Sequence, residues 1–561
     1  MDKASLDRSN LLHACFVALE RHGMISTLFK RFPFLAFAAA AAISVTVLAP
    51  VSANAQVTAF KQAVAEAASR DADIAAFYRA SGFQPIWTGG DADDLDRRKA
   101  LMQALRTADM HGLPAARYDQ DGLMRKMREA RSVRDLGLLE VELTKTFLSY
   151  ARDIQTGALI PSQIDAGIVR EVPYRDRSSY LLSIARTDDP SAFISGLAPN
   201  TKEYRALLKQ KLRLEHLIAE GGWGPKVRAS SLEPGDEGGD VVALRNRLIA
   251  MGYMPRNVKG SYDTDLVKAV QRFQSRHGLE QDGVAGAGTM TEINVDPQTR
   301  LRAVLVALER ERWLNRDRGE RHILVNLADF HARIIDDGHE TFRTRSVVGK
   351  NVSDRRSPEF SDVMEHMVIN PSWFVPRSIA TKEYLPQLQQ NPNAVRHLVI
   401  TDVNGRRVDR EAVDFTRYST RSFPFDMRQP PGRSNALGLV KFMFPNKYNI
   451  YLHDTPQKHL FAREVRAYSH GCIRLADPFD FAYALLAAQE DDPEGYFQGI
   501  LRTGSETKVE LDQPVPVHLI YRTAQTDERG HIEYRRDVYG RDAKIWDALS
   551  EAGVTLGEVQ G

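Results

Sequence analysis

The stretch Tyr468-Ser469-His470-Gly471-Cys472-Ile473-Arg474-Leu475 is the part of this chain around which the other segments are arranged. Cys472 is one of 2 cysteines in 561 residues, and the other, Cys15, stands in a segment expected to be removed on export. A mature chain would carry one thiol, which cannot be half of an intrachain disulfide and so needs another role. A thiol attacks as its thiolate, and a free cysteine is only slightly ionised near neutral pH. A neighbouring imidazole can take the proton and hold the resulting ion pair. His453, upstream at the end of an alternating run, is the candidate base, and Cys472 the candidate nucleophile. Gly471 lets the backbone approach a substrate closely, and the amides of Gly471 and Cys472 are candidates for an oxyanion hole.

Outward from this stretch the pattern is that of strands. Leu437 to Phe444 reads as one strand, Pro445-Asn446 as its turn and Lys447 to His453 as the next. Alternation puts Asn449, Tyr451 and His453 on one face of that strand, with Ile450 and Leu452 on the other. Two roles stay open for each remaining neighbour. His470 either donates into the site or buttresses the turn. Ser469 is a turn-stabilising or a functional hydroxyl, and Arg474 binds a substrate carboxylate bidentately or forms a surface ion pair. Upstream, His322–Leu327, His331–Ile335, Thr344–Gly349 and Val368–Asn370 read as strands, so a mainly β domain is expected over 320–550. From 376 to 431 the alternation weakens while charges and prolines increase, an excursion long enough for a lid or subdomain. After Cys472 an amphipathic helix is expected from Asp477 to Gln489, then closing strands at Val509–Leu511, Val515–Tyr521 and Ile532–Tyr534.

The rest of the chain is helical. Residues 56–228 show i, i+3, i+4 apolar recurrence, with a longer helix over Leu139–Ile154, and carry no catalytic spacing. Residues 229–297 form a compact unit. One helix there carries Val241, Leu244, Leu248 and Met251 on a face; a second carries Leu266, Val270 and Phe273, with Thr264 placed to cap it. Residues 298–319 read as a connecting helix. At the N-terminus Lys30-Arg31, an apolar run from Phe32 to Val51 and Ala53-Asn54-Ala55 have the form of a secretory leader cut after Ala55, with Met24 a more typical start than Met1. An uncleaved anchor is the alternative, since the run is almost long enough to span a bilayer. Length implies two to four domains. Because 75 basic residues are balanced by 73 acidic ones, charge gives no argument for nucleic acid. His453, His459 and His470 lack partners for a metal, and no cofactor is expected.

Gly235, Leu244, Leu248, Gly252-Tyr253, Gly260, Asp263, Phe273-Gln274, Gly278-Leu279, Asp282-Gly283 and Thr289 resemble the small three-helix peptidoglycan-binding module of cell-wall enzymes. Whether it binds or serves as a folded spacer stays open. His453-Asp454-Thr455-Pro456 followed by Ser469-His470-Gly471-Cys472-Ile473-Arg474 resembles the signature of the L,D-transpeptidases. So do Asn370-Pro371-Ser372-Trp373-Phe374-Val375-Pro376 and Pro431 to Gly438; Ser357-Pro358 stands where Thr-Pro is usual. The resemblance implies a multidomain chain: helical scaffold, peptidoglycan-binding module, and a mainly-β catalytic domain with an inserted capping subdomain. It also implies a reaction. Cys472 attacks the amide between diaminopimelate and D-Ala in a stem tetrapeptide, and a second diaminopimelate amine resolves the thioester into a 3→3 cross-link. His453 is then base and acid, oriented by a backbone carbonyl with Asp454 outside any triad, and Tyr451 and Trp373 are pocket residues or plain packing. Carbapenem-type inhibitors are expected to acylate the thiol, and the protein to act in the periplasm without a retained membrane span. Water, a free D-amino acid or a protein amine as acceptor remains open.

Overall fold

The computed structural model describes residues 51–527 and 529–556, with side chains from residue 58. Two units are distinguished, 1–54 and 55–561. Apart from the helix Val51–Ala68, which begins in the first, everything below concerns the second. Cys15 and the expected leader over residues 30–50 lie outside the described residues. Among the described residues no helix is long and apolar enough to cross a membrane.

Helices run from Val51 to Ser195 around a core that includes Val64, Ile74, Trp87, Leu101, Phe147 and Ile184. The longest, Val133–Thr156, begins with a capping box: Ser132 accepts from the Asp135 amide and Asp135 from the Ser132 amide. It ends at Gly157, whose φ of +96° suits glycine and where a Cβ would stand 2.6 Å from the Trp313 indole. Residues 239–293 form three helices, Gly239–Ala250, Thr264–Arg276 and Ala287–Ile293, packed through Leu244, Leu248, Leu266, Phe273 and Ile293. The cap of the second is Asp263, not Thr264. The Asp263 carboxylate accepts from the Leu266 amide at 3.0 Å and pairs with Arg245, while Thr264 is already helical. Asp is the stronger of the two caps, and here it precedes Thr by one residue.

The helix expected only to connect, Pro297–Trp313, is buried on every face from Val304 to Trp313. It packs between helices Lys202–Ala219 and Arg541–Glu551, sharing Leu301, Leu305, Leu308, Leu214 and Ile545 in one core. Its charged residues are buried in pairs. Arg312 bonds Glu309 at 2.7 Å, and Arg310 bonds Glu359 at 2.5 Å and Asp542 at 3.1 Å, with Arg541 on Glu359 at 3.1 Å. This network ties the helical half to the sheet below.

The β domain contains β1 (Arg321–Asn326), β2 (His331–Asp336), β3 (His339–Gly349), β4 (Phe360–Ile369), β5 (Trp373–Phe374), β6 (Val399–Thr401) and β7 (Asp426–Gln429). Then follow β8 (Val440–Met443), β9 (Leu452–His453), β10 (Ala467–Ser469), β11 (Ile473–Leu475) and β12 (Thr507–Ile520), with a hairpin of β13 (Ala524–Thr526) and β14 (Ile532–Tyr534). Nine strands pair in the order β10-β3-β11-β9-β8-β4-β12-β1-β2, and β2 also pairs with β3, so the sheet closes on itself. Its core includes Val325, Ile334, Met364, Phe442, Leu452, Ile473 and Phe481.

Four strand and helix expectations need correction. The strand expected over 437–444 is only β8, because Gly438 takes φ +63°. The strand expected over 447–453 is only β9, because Asn449 takes φ +54° and leaves the pleat. Residues 509–521 form not two strands but most of β12, with a register irregularity between Glu510 and Val515. The helix after Cys472 is shorter than expected, Pro478–Leu486.

The excursion over 376–431 is a small folded unit. Strands β5, β7 and β6 pair in that order, and Leu388, Ile400, Phe415, Phe423 and Met427 form its own core with Trp373 and Leu437. Its two legs meet at Asn435, which is fully buried. The Asn435 amide donates to the carbonyls of Pro371, Gln429 and Pro430 at 3.1, 3.2 and 2.9 Å.

Candidate active site

Register brings the motif residues together. β11 runs parallel to β9 with Ile473 beside Leu452 and Arg474 beside His453. Ile473 and Leu452 face the core, so alternation turns Cys472, Arg474, Tyr451 and His453 to the opposite face. The Ile473 amide donates to the Tyr451 carbonyl at 3.0 Å, fixing Cys472 next to Tyr451. Half-buried Cys472 donates its thiol proton to the Asn449 carbonyl at 3.4 Å.

The turn before Cys472 is held from below. Gly471 has φ +119°, where a Cβ would stand 3.1 Å from Ile450 Cδ1. Buried Ser469 accepts from the Gly471 amide at 3.1 Å and donates to the Cys472 carbonyl at 2.6 Å, so its hydroxyl is spent within the turn. This corrects one expectation: the Gly471 amide is turned to Ser469 and away from any substrate oxygen, leaving the Cys472 amide as the candidate donor. Ser357, legible in sequence only as a departure from Thr-Pro, donates to the Gly471 carbonyl at 2.6 Å and accepts from the Gly349 amide at 2.9 Å. Tyr539 donates to the Gly349 carbonyl at 2.6 Å from nearly two hundred residues away in the chain.

His453 is buried, and its Nδ1 bonds the Asp454 carbonyl. A carbonyl only accepts, so Nδ1 carries the proton and Nε2 keeps its lone pair. The Asp454 carboxylate points elsewhere, accepting from the Leu439 amide at 2.9 Å and pairing with Lys458 at 2.8 Å. Burial, then the nearby Arg474 charge, hold the imidazole down at about 3. Burial pushes the Cys472 thiol up to about 11, against the Tyr451 backbone and side chain, which favour the thiolate. Both groups therefore rest neutral at pH 7, rather than as the ion pair expected from sequence. The Tyr451 and His453 rings lie 5.7 Å apart, and burial also raises the Tyr451 phenol.

Arg474 donates to Gln457 Oε1 at 2.6 Å and has no carboxylate partner among the described residues; its Nε is buried and unpartnered. The surface ion pair is thus excluded. Arg474 lines a cavity of about 320 Å³ with Gln457 and Thr455 below and Trp373, Tyr384 and His397 of the inserted unit above. Trp373 is 8% exposed and meets Tyr384 edge-on, so it serves both packing and the cavity wall. His470 contacts Glu383 of the inserted unit at 2.6 Å, and Glu383 also bonds Arg355 at 2.7 Å. Glu383, Arg355, Tyr384 and His397 gave no sequence signal, since only the folding of the insertion brings them here.

Three family models match the chain. They are "Scaffold domain" over residues 72–211, "Putative peptidoglycan binding domain" over 237–293 and "L,D-transpeptidase catalytic domain" over 320–509. A Haemophilus influenzae protein described as "Putative L,D-transpeptidase" is 32% identical over 237 residues, 41% of this chain and 47% of that protein. The "Carboxy-terminal processing protease CtpA" of Bacillus subtilis is 28% identical over 131 residues, 23% of this chain and 25% of that one. The chain thus spans half or less of the length of these curated relatives. A solved L,D-transpeptidase structure from Xylanimonas cellulosilytica aligns at 15% identity over 53% of this chain and 98% of that one, with a TM-score of 0.16, too low to carry an argument. The strand-borne motifs and the model spanning them agree: residues 320–509 of this chain are similar to the L,D-transpeptidase catalytic domain.

Proposed function

We propose that this protein is a cysteine-dependent L,D-transpeptidase that forms 3→3 cross-links between diaminopimelate residues of peptidoglycan stem peptides, working outside the cytoplasm in the periplasm. The observation carrying this reading is the shared sheet face of Cys472 and His453, with the Nδ1 proton of His453 held by the Asp454 carbonyl. Because both groups rest neutral, the proton moves as the bond forms. Cys472 Sγ attacks the carbonyl carbon of the diaminopimelate–D-Ala amide while His453 Nε2 takes the thiol proton. The oxyanion is met by the Cys472 amide, with Tyr451 beside it. The imidazolium then protonates the leaving D-Ala amine, leaving a thioester. The side-chain amine of a second diaminopimelate attacks that thioester, His453 takes a proton, and the thiol is restored. Arg474, which has no carboxylate partner among the described residues, receives a stem carboxylate in the cavity under Trp373. His470, bonded to Glu383, anchors the inserted unit over the site. The module over 237–293 holds the wall polymer, and β-lactams of the carbapenem class acylate Cys472.

The reading is tested by incubating the protein with tetrapeptide-rich cell wall, digesting the glycan and separating the fragments. Dimers joined 3→3 and released D-Ala are expected. Tripeptides alone would overturn cross-linking in favour of hydrolysis, and an unchanged fragment profile would overturn the enzyme.

A further inference from the structure

A second cavity, of about 450 Å³, lies between the end of helix Thr264–Arg276 with the loop to Gln281, the start of β2, residues 461–466 and residues 533–538 at and after the end of β14. Arginines dominate it, and their partners are unevenly distributed. The rim acids Glu533 and Glu464 are committed to Arg535 and Arg536. Arg345 has one long contact, to the Phe461 carbonyl at 3.4 Å, and no carboxylate partner among the described residues. Arg463 is exposed and has no side-chain partner among them. Behind these, buried Arg466 bonds only backbone carbonyls, those of Ser346, Arg463, Asp329 and Phe330. Burial and the facing Arg345 charge hold the Arg466 guanidinium down at about 10, against the nearby Asp329 carboxylate, which is itself paired with Arg333. Glu280 is the rim acid whose carboxylate has no cationic partner among the described residues, one charge against three.

The position of this cluster relates it to Cys472. Val347 on β3 stands opposite Arg474 on β11, so Arg345, two residues along, shares the sheet face of Arg474 and Cys472. Antiparallel pairing puts Cys472 toward the Gly349 end of β3. Four residues of β3 separate that end from Arg345, roughly 13 Å at strand rise. Val347 between them is fully buried, so a peptide reaching both crosses the covering segment 461–467 and does not lie on β3.

We propose that Arg345 and Arg463, backed by Arg466, form an anion site for the carboxylates of an acidic peptide, the stem of a peptidoglycan strand whose reacting end lies at Cys472. The proposal rests on the transpeptidase reading above and adds to it a place where substrate is held, between the peptidoglycan-binding module and the catalytic sheet. Charge-assisted hydrogen bonds there hold the stem's carboxylates, and salt weakens the hold.

The test titrates a disaccharide-tetrapeptide into full-length protein carrying Cys472→Ala, with and without Arg345→Gln and Arg463→Gln. Peptide-free glycan and inorganic phosphate serve as comparison ligands. The double substitution is expected to weaken the tetrapeptide about tenfold or more, to leave peptide-free glycan unaffected, and to be partly rescued by Arg345→Lys with Arg463→Lys. In a background with Cys472 intact, the arginine variants are expected to be acylated by a carbapenem at the unsubstituted rate. Equal tetrapeptide affinity in the variants overturns the site while leaving the enzyme reading standing, and so does a loss confined to phosphate. Slowed acylation in the variants also overturns it, because the effect would then lie at the thiol. Failure of the unsubstituted protein to be acylated overturns the enzyme reading itself.

Discussion

Cys472 and His453 sit in an environment that keeps both uncharged. Burial raises the thiol to about 11 and lowers the imidazole to about 3. The raised thiol means that little thiolate exists at neutral pH and that its fraction grows as pH rises toward 11. Alkylation of Cys472 by iodoacetamide is therefore expected to climb continuously from pH 7 to 10, followed by intact mass. A plateau reached below pH 7 would contradict the neutral pair and restore the ion pair. The Arg474 charge contributes to lowering His453, so Arg474→Gln should move the imidazole titration upward in an NMR titration. His453→Ala should slow acylation by about 10²–10⁴-fold, the usual contribution of a positioned base. At this scale the sequence was most legible. Cys472, His453 and Arg474 lie within 22 residues of one another, and their strand parity follows from alternation. The protonation states were not legible, because they depend on burial by residues distant in the chain.

The elements around the site are held by a few buried polar bonds. Ser357 joins the Gly349 strand end to the Gly471 turn through two hydrogen bonds. Ser357→Ala strands the Gly349 amide and should cost about 1–3 kcal/mol in thermal denaturation, while Ser357→Thr should be nearly neutral. Gly438 has φ +63°, and a Cβ there would overlap the Asp454 carboxylate. The same two glycine and asparagine positions that confer left-handed backbone, Gly438 and Asn449, are why β8 and β9 are shorter than their apolar alternation suggests. Hydrophobic period reports which face is buried, not where the ladder of hydrogen bonds ends. The inserted unit was visible as an interruption in that period. Its contacts were not, since Glu383 meets His470 across 87 residues. Glu383→Ala is expected to raise amide hydrogen exchange over 377–390 with little change in β1 or β12.

On the scale of the whole molecule, the helix Pro297–Trp313 joins what the sequence presents as separate modules. Arg310, Glu359, Arg541 and Asp542 are buried together at its contact with the sheet. Removing one member leaves a buried charge unpaired, so Glu359→Ala should destabilise the protein by about 3–5 kcal/mol. The unsubstituted chain should also unfold with the helical and β halves coupled, read by tryptophan fluorescence and far-ultraviolet dichroism together. Sequence period made this helix look like a connection, since it reports the apolar residues and not what pairs with the Glu and Arg residues between them. Partners from other segments, Glu359 and Asp542 for Arg310 and Arg522 for Glu311, let those charges be buried. Helix Pro297–Trp313 thus links the helical segments to the β domain that carries Cys472, the free cysteine among the described residues. The most direct test of the account is the intact mass of the protein after brief exposure to a stem tetrapeptide. The account predicts a tripeptide adduct on Cys472, lost in Cys472→Ala and slow to form in His453→Ala. An unmodified protein, or an adduct that survives Cys472→Ala, would contradict it.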